Sequence, residues 1–197
     1  KGYSLFFDKI VKTDSGKRLI ENIDKVHNAD FSVIVYNFLD ILSHARTETQ
    51  IIRDLAEDEA AFRSLTRSWF EHSDLLELMR LLAERGHTII ITSDHGTIQV
   101  DNPVRVQGDR ATSSNLRYKT GRNLGFNQKE VFAITKPELA HLPKSNITST
   151  YIFAYNRDFF VYPNNTNQFV RYYNNTFQHG GISMEEMIVP FLVLKPR

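Results

Sequence analysis

The stretch His87–Gly96, HTIIITSDHG, constrains this chain more than any other. Ile89, Ile90 and Ile91 form an unbroken β-branched run. Gly86 precedes it and closes the apolar, helically spaced segment DLLELMRLLAER, whose last residue, Arg85, suits a helix carboxyl end. A short β-branched run bounded in this way reads as a buried parallel strand, covered on both faces, in an α/β protein. At its carboxyl end stand Asp94 and His95, followed by a turn at Gly96. Ligands and reacting groups gather at the carboxyl ends of strands in open α/β sheets, so this acid and imidazole define the first candidate site.

The surrounding pattern supports an α/β class. Residues 1–28 read as helical with an interruption at TDSGK; Ser15 could cap the second piece, where Leu19, Ile20, Ile23 and Val26 have helical spacing. Phe31–Tyr36, FSVIVY, reads as a strand, and Asn37–His44 leaves its end as a helix or helical loop. Two helices are expected between Glu57 and Arg85. Ile98–Val106 reads as a hairpin turning at Asp101-Asn102-Pro103, and GDRATSSNLRYKTGRNL as a long basic loop. Glu130–Thr135 is an expected strand, Pro137 opens a short helix, and Tyr151–Tyr155 with Phe159–Tyr162 suggests a hairpin. Phe169–Tyr173 reads as a further strand; Ser183 and Glu186 then form a capping box before the strand IVPFLVL. Strands alternating with helices predict a mostly parallel sheet with an antiparallel accessory part.

Composition narrows the chemistry. At 197 residues the chain can bury a substantial core in one domain or two small ones. No cysteine is present, so any metal must be held by histidines and carboxylates, and a reducing, cytoplasmic setting is expected. No segment has the apolar length of a membrane span, so no membrane insertion is expected. A net charge of +1 gives no support for bulk nucleic-acid binding. Positive charge is nevertheless concentrated between Asp101 and Arg122, where Arg105, Arg110, Arg117, Lys119 and Arg122 face only Asp101 and Asp109.

Two further segments carry metal-type ligands. In NFLDILSH, Asp40 and His44 are four apart and share one side if the segment is helical. His179 precedes Gly180 and Gly181, and alone would be an ordinary loop histidine. Taken together, Asp40, His44, Asp94, His95 and His179 supply two carboxylates and three imidazoles, enough for more than one ion. Such donors suit zinc or manganese better than calcium. Paired ions can clamp a phosphoryl group and activate an attacking oxygen, and the basic loop could neutralise phosphate, with arginine as the bidentate reader.

The order D-x-x-x-H, then S-D-H-G after a strand, then a late H-G resembles the alkaline phosphatase superfamily, which includes cofactor-independent phosphoglycerate mutases and nucleotide pyrophosphatases. More closely, SDHGTIQVDNPVRVQGDRATSSNLRYKTGRNL resembles the PglZ-type effector domain of PorX-like response regulators, which couple a receiver domain to a PglZ domain and serve type IX secretion signalling. The likeness covers essentially the whole chain. It implies an alkaline-phosphatase-like three-layer sandwich. It also implies two divalent ions, zinc with manganese as the alternative: one on Asp40, His44 and His179, the other on Asp94 and His95.

One departure stands out. The superfamily uses an early strand ending in a metal-bridging Asp, followed by a Ser or Thr nucleophile, and no such pair is evident. Asp8 with Thr13 is the only formal candidate. Residues 1–197 are therefore expected to be the carboxyl-terminal part of a PglZ-type domain, with receiver, linker and nucleophile-bearing strand upstream. The resulting expectation is a metal-dependent phosphodiesterase that hydrolyses nucleotides or oligonucleotides as the output of a two-component system. Arg110, Arg117, Lys119 and Arg122 would hold phosphate. A sensor kinase, a sigma factor or a secretion component are the partners implied, and an uncovered sheet edge favours a homodimer. The alternative is a non-catalytic signalling module that binds a sigma factor or secretion component, with its metals structural.

Overall fold

A computed structural model of the chain describes residues 2–11, 13–108, 112–144 and 147–196. The chain is mixed α/β and divides into two compact units, one formed by Lys1–Thr92 with Phe191–Arg197, the other by Ser93–Pro190. The described strands group into five small sheets, and parallel pairing is confined to two of them.

The first unit opens with β1 (Leu5–Ile10), where the segment expected to be helical is instead a strand. Phe6, Asp8 and Ile10 are the more buried positions, alternating with exposed Leu5, Phe7 and Lys9, which is the period of a pleated strand. A short apolar run fits both helical and strand periods, and tertiary pairing decides between them. Two short helices follow, α1 (Thr13–Glu21) and α2 (Ile23–His27), and return the chain to β2 (Phe31–Tyr36). β2 lies parallel to β1, Leu5 opposite Phe31 and Ile10 opposite Tyr36. Parallel neighbours need such a crossover, and here it supplies the core: Leu19, Ile23 and Val26 are buried with Ile10.

The chain leaves β2 through α3 (Phe38–Glu48), α4 (Gln50–Leu55), α5 (Glu59–Glu71) and α6 (Asp74–Glu84). Asp58 caps α5 by accepting the Ala61 N–H at 2.8 Å. Leu78 and Leu82 of α6 close the core around Phe6, Ile34 and Tyr36, each fully buried aliphatic side chain contributing about 1.5–3 kcal/mol. Gly86, at φ +82°, ends this run in the left-handed conformation that glycine adopts freely, and β3 (Ile89–Thr92) follows.

The second unit contains β4 (Ile98–Val100), β5 (Asn102–Arg105), β6 (Tyr118–Gly121), β7 (Val131–Ile134), β8 (Thr150–Ala154), β9 (Asp158–Val161), α7 (Thr166–Tyr173), β10 (Thr176–Gln178) and α8 (Met184–Met187). β11 (Phe191–Leu194) then returns to the first unit, antiparallel to β3 with Phe191 opposite Thr92. β3 is thus not the parallel, doubly covered strand expected. Its hydrogen-bonded neighbour is antiparallel, and Ile90 remains 51% exposed.

Neither expected hairpin forms. β4 pairs with β10, and β5 runs parallel to β9. The chain switches sheets at Asp101 and Asn102, whose N–H groups both donate to the Arg157 carbonyl. β8 joins β6 and β7, again separate from β9. Phe169–Tyr173, expected as a strand, belongs to helix α7; Phe169, Val170 and Tyr173 fall at helical spacing and cover Ile98, Val100, Leu116, Phe159 and Val161. The long basic loop also contains a strand, β6, which buries Arg117 and Lys119 beside it or within it.

Candidate metal centre

In the first unit the expected D-x-x-x-H pair sits on a helix. β2 ends at Tyr36, Asn37 leads into α3, and Asp40 and His44 lie one turn apart with Oδ1 and Nε2 3.4 Å from each other. The Asn37 side-chain amide donates to the other Asp40 oxygen at 3.4 Å, so one carboxylate oxygen is steadied and its twin faces the imidazole. Both side chains are open to solvent.

In the second unit two motifs far apart in sequence meet. The His95 ring stacks on the His179 ring, centroids 3.8 Å apart and planes within 8°. His95 Nδ1 lies 2.9 Å from the Gly96 carbonyl. A carbonyl only accepts, so Nδ1 carries the proton, and in the neutral ring Nε2 keeps its lone pair. That Nε2 lies 3.8 Å from Asp94 Oδ1. An imidazole fixed by a backbone carbonyl, with its free nitrogen beside a carboxylate, is the usual form of a metal-ligating histidine. Among the described residues, no three His, Asp or Glu side chains stand as a ready-made metal cage. What is present is a set of two-donor pairs.

Glu186 holds this arrangement together. Its backbone carbonyl accepts the Gly96 N–H at 2.8 Å. Its carboxylate accepts the Gly181 N–H at 2.8 Å and the Ser183 N–H at 3.2 Å, the second being the carboxylate half of the expected capping box. The same carboxylate takes a two-pronged contact from Arg117, Nε to Oε1 at 3.0 Å and Nη2 to Oε2 at 2.8 Å, with both side chains essentially sealed from solvent (0% and 1% exposed). Burial pushes the Glu186 carboxyl up, but hydrogen bonding and charge from Arg117, with help from Ser183 and Gly181, outweigh it and hold the group below its ordinary range. One side chain thereby ties the turn after His95 to the turn after His179.

Glycine is needed at both turns. A Cβ on Gly96 would run into the Glu185 carbonyl. Gly180 has φ +98°, and a Cβ there would lie 2.7 Å from the Asn115 amide nitrogen, which donates to the His179 carbonyl at 3.2 Å.

The basic residues separate into two kinds. Arg117 also donates through Nη1 to the Tyr155 carbonyl at 3.4 Å and to the Asp158 carbonyl, so its guanidinium is fully engaged inside the protein and is not presented to a phosphate. Lys119 is buried too; its Nζ donates to the Ser113 carbonyl at 2.9 Å and lies 4.9 Å from the centre of the Tyr162 ring. Burial drives its pKa down to about 8. Arg122 is exposed, and Arg110 lies outside the described residues. Of the formal nucleophile pair, Asp8 stands two residues before the end of β1 and accepts the Lys9 N–H at 2.8 Å; Thr13 begins α1.

A family model described as the BREX system PglZ alkaline phosphatase-like domain matches residues 2–194. The chain belongs to the PglZ family. No curated protein sequence matches it. Glu186 and Asn115, which hold the turns after His95 and His179, carry no metal-type spacing and were visible in sequence only as half of a capping box and as a loop asparagine.

Proposed function

We propose that this PglZ domain serves a divalent-metal-dependent phosphodiesterase acting on nucleotides or oligonucleotides, as the output of a response regulator. The observation that carries the proposal is the parallel stack of His95 on His179 at 3.8 Å, with Asp94 alongside. The stack brings two imidazoles and a carboxylate together from distant segments, donors of the kind zinc and manganese take.

The donor chemistry fits such ions. Ligands at adjacent positions on zinc lie about 3 Å apart for bonds of about 2.0–2.1 Å, so the 3.4 Å of Asp40–His44 and the 3.8 Å of Asp94–His95 need only small side-chain rotations. In this reading Asp40 and His44 hold one ion and Asp94 and His95 another, zinc or manganese. Such ions lower the pKa of an attacking oxygen and neutralise the phosphoryl oxygens. The Gly96 carbonyl keeps His95 in the ligating tautomer. Exposed Arg122 would bind phosphate in this reading, with Arg110 as the second expected base. Homodimerisation through the exposed Phe191, Leu192 and Val193 of β11 is part of the same proposal.

The test uses the intact protein. Metal analysis should find about two transition ions per chain, with hydrolysis of a bis-aryl phosphate and of short RNA. His44→Ala and His95→Ala should each lower both. Unchanged metal content in both variants refutes the ligand assignment. Full metal content without hydrolysis, together with partner binding abolished by His179→Ala, would instead establish the signalling-module alternative.

A further inference from the structure

A second pair of imidazoles, separate from the PglZ signature, lies in the first unit. His27 Nδ1 and His87 Nε2 are 2.7 Å apart, with ring planes at 86° and centroids 4.9 Å apart. We propose that His27 and His87 form a binding site for a borderline divalent first-row ion, copper(II), nickel or zinc, distinct from the candidate phosphoesterase ions.

The backbone presents this pair from two rigid anchors. His27 closes α2, whose Ile23 and Val26 are buried in the core of the first unit. His87 follows Gly86, and its N–H donates to the Leu82 carbonyl at 3.0 Å; Leu82 is buried in that same core. The two rings are thus held against each other by packing across 60 residues of sequence, not by chance meeting of mobile surface chains. At 2.7 Å one ring nitrogen donates its proton to the lone pair of the other; a bound ion would take that proton's place, the donor ring carrying the proton on its other nitrogen or releasing it to solvent.

Conversion to a metal site requires little movement. With metal–nitrogen bonds of about 2.0–2.1 Å, two nitrogens sit about 2.9 Å apart at a right-angled corner and about 3.3 Å apart at a tetrahedral one. The pair needs to open by a few tenths of an ångström. Two imidazole nitrogens, with water completing the coordination, favour copper, nickel and zinc over magnesium or calcium. A bound ion would pin the end of α2 to the entrance of β3.

The experiment is a copper(II) and zinc titration of the intact protein carrying His44→Ala and His95→Ala, which removes the ions assigned above and keeps this pair. One equivalent should still bind, the copper spectrum should show coupling to two imidazole nitrogens, and the melting temperature should rise with metal. Adding His27→Gln or His87→Gln should weaken binding at least tenfold and remove one of the two nitrogen couplings. Both rings are at the surface, so circular dichroism of these variants without metal should match the parent. Absence of that equivalent, or an affinity and spectrum that neither glutamine variant changes, overturns the proposal, whatever becomes of the phosphodiesterase assignment.

Discussion

Replacing Glu186 with alanine should unfold the second unit under conditions that leave the first intact. The substitution strands Arg117, whose side chain is 0% exposed, without its counter-charge. Removing one partner of a buried ion pair costs about 3–5 kcal/mol, because the remaining charge stays in a poor solvent. The Gly181 and Ser183 N–H groups also lose their acceptor, though water entering the new space would soften that loss. Set against a typical domain stability of about 5–15 kcal/mol, this is a large fraction. The single tryptophan, Trp69, belongs to the first unit and would miss the event. Hydrogen exchange read by mass spectrometry over residues 94–97 and 179–187, with urea unfolding by circular dichroism, is therefore the assay. Arg117→Met combined with Glu186→Leu should recover most of the loss, since an apolar pair replaces a charge that no longer needs compensation. A loss below about 1 kcal/mol with unchanged exchange would refute the scaffold role of Glu186.

Acid should act on the same pair. The folded pKa of Glu186 is lowered, so its stabilisation is complete above the ordinary carboxylate range of about 4.3 and disappears as pH falls through the lower folded value; acid unfolding should begin in the second unit and Glu186→Gln should flatten it. Gly96→Ala should cost about 1–3 kcal/mol by forcing a methyl group into the Glu185 carbonyl, and should disturb the His95–His179 stack in proton spectra. Tyr36, pushed up to about 12 mainly by burial and further by the carboxylates of Asp74 and Asp8, should be the last tyrosine to ionise in an ultraviolet titration; its contribution is present below about pH 10 and is lost as pH rises through about 12. Lys119 has the opposite sign. With a folded pKa of about 8 below the unfolded value of about 10.4, its contribution to stability grows between those two pH values, and its carbon-13-methylated amine should titrate near 8.

The helices between Asp58 and Arg85 were legible because their apolar spacing, the Asp58 cap and Gly86 all agree. The D-x-x-x-H pair was legible for the same reason: spacing on a helix fixes which side chains meet. Strands were a different matter. LFFDKI fits either period over six residues, and nothing local says that its partner is Phe31–Tyr36. The turn at Asp101 and the closeness of Tyr151–Tyr155 to Phe159–Tyr162 suggested hairpins, yet in both places the chain changes sheets: β4 pairs with β10, β5 with β9, and β8 with β6 and β7. Arg117 and Lys119 looked like phosphate ligands because charge predicts exposure. The alternation in RYKTG, with Arg117 and Lys119 on one face, was the available signal that they point inward. Glu186 was legible only as half of a capping box; its pairing with Arg117 was not, because a buried carboxylate answering a buried guanidinium leaves no trace in sequence until the two are brought together.

Zinc-edge anomalous diffraction from crystals of the intact protein bears most directly on the phosphodiesterase assignment. The expected map has one peak bonded to Asp94 and His95 beside the His179 ring and another bonded to Asp40 and His44. A map whose only peak lies at His27 and His87, or that leaves Asp94 and His95 bare at saturating zinc, would contradict it.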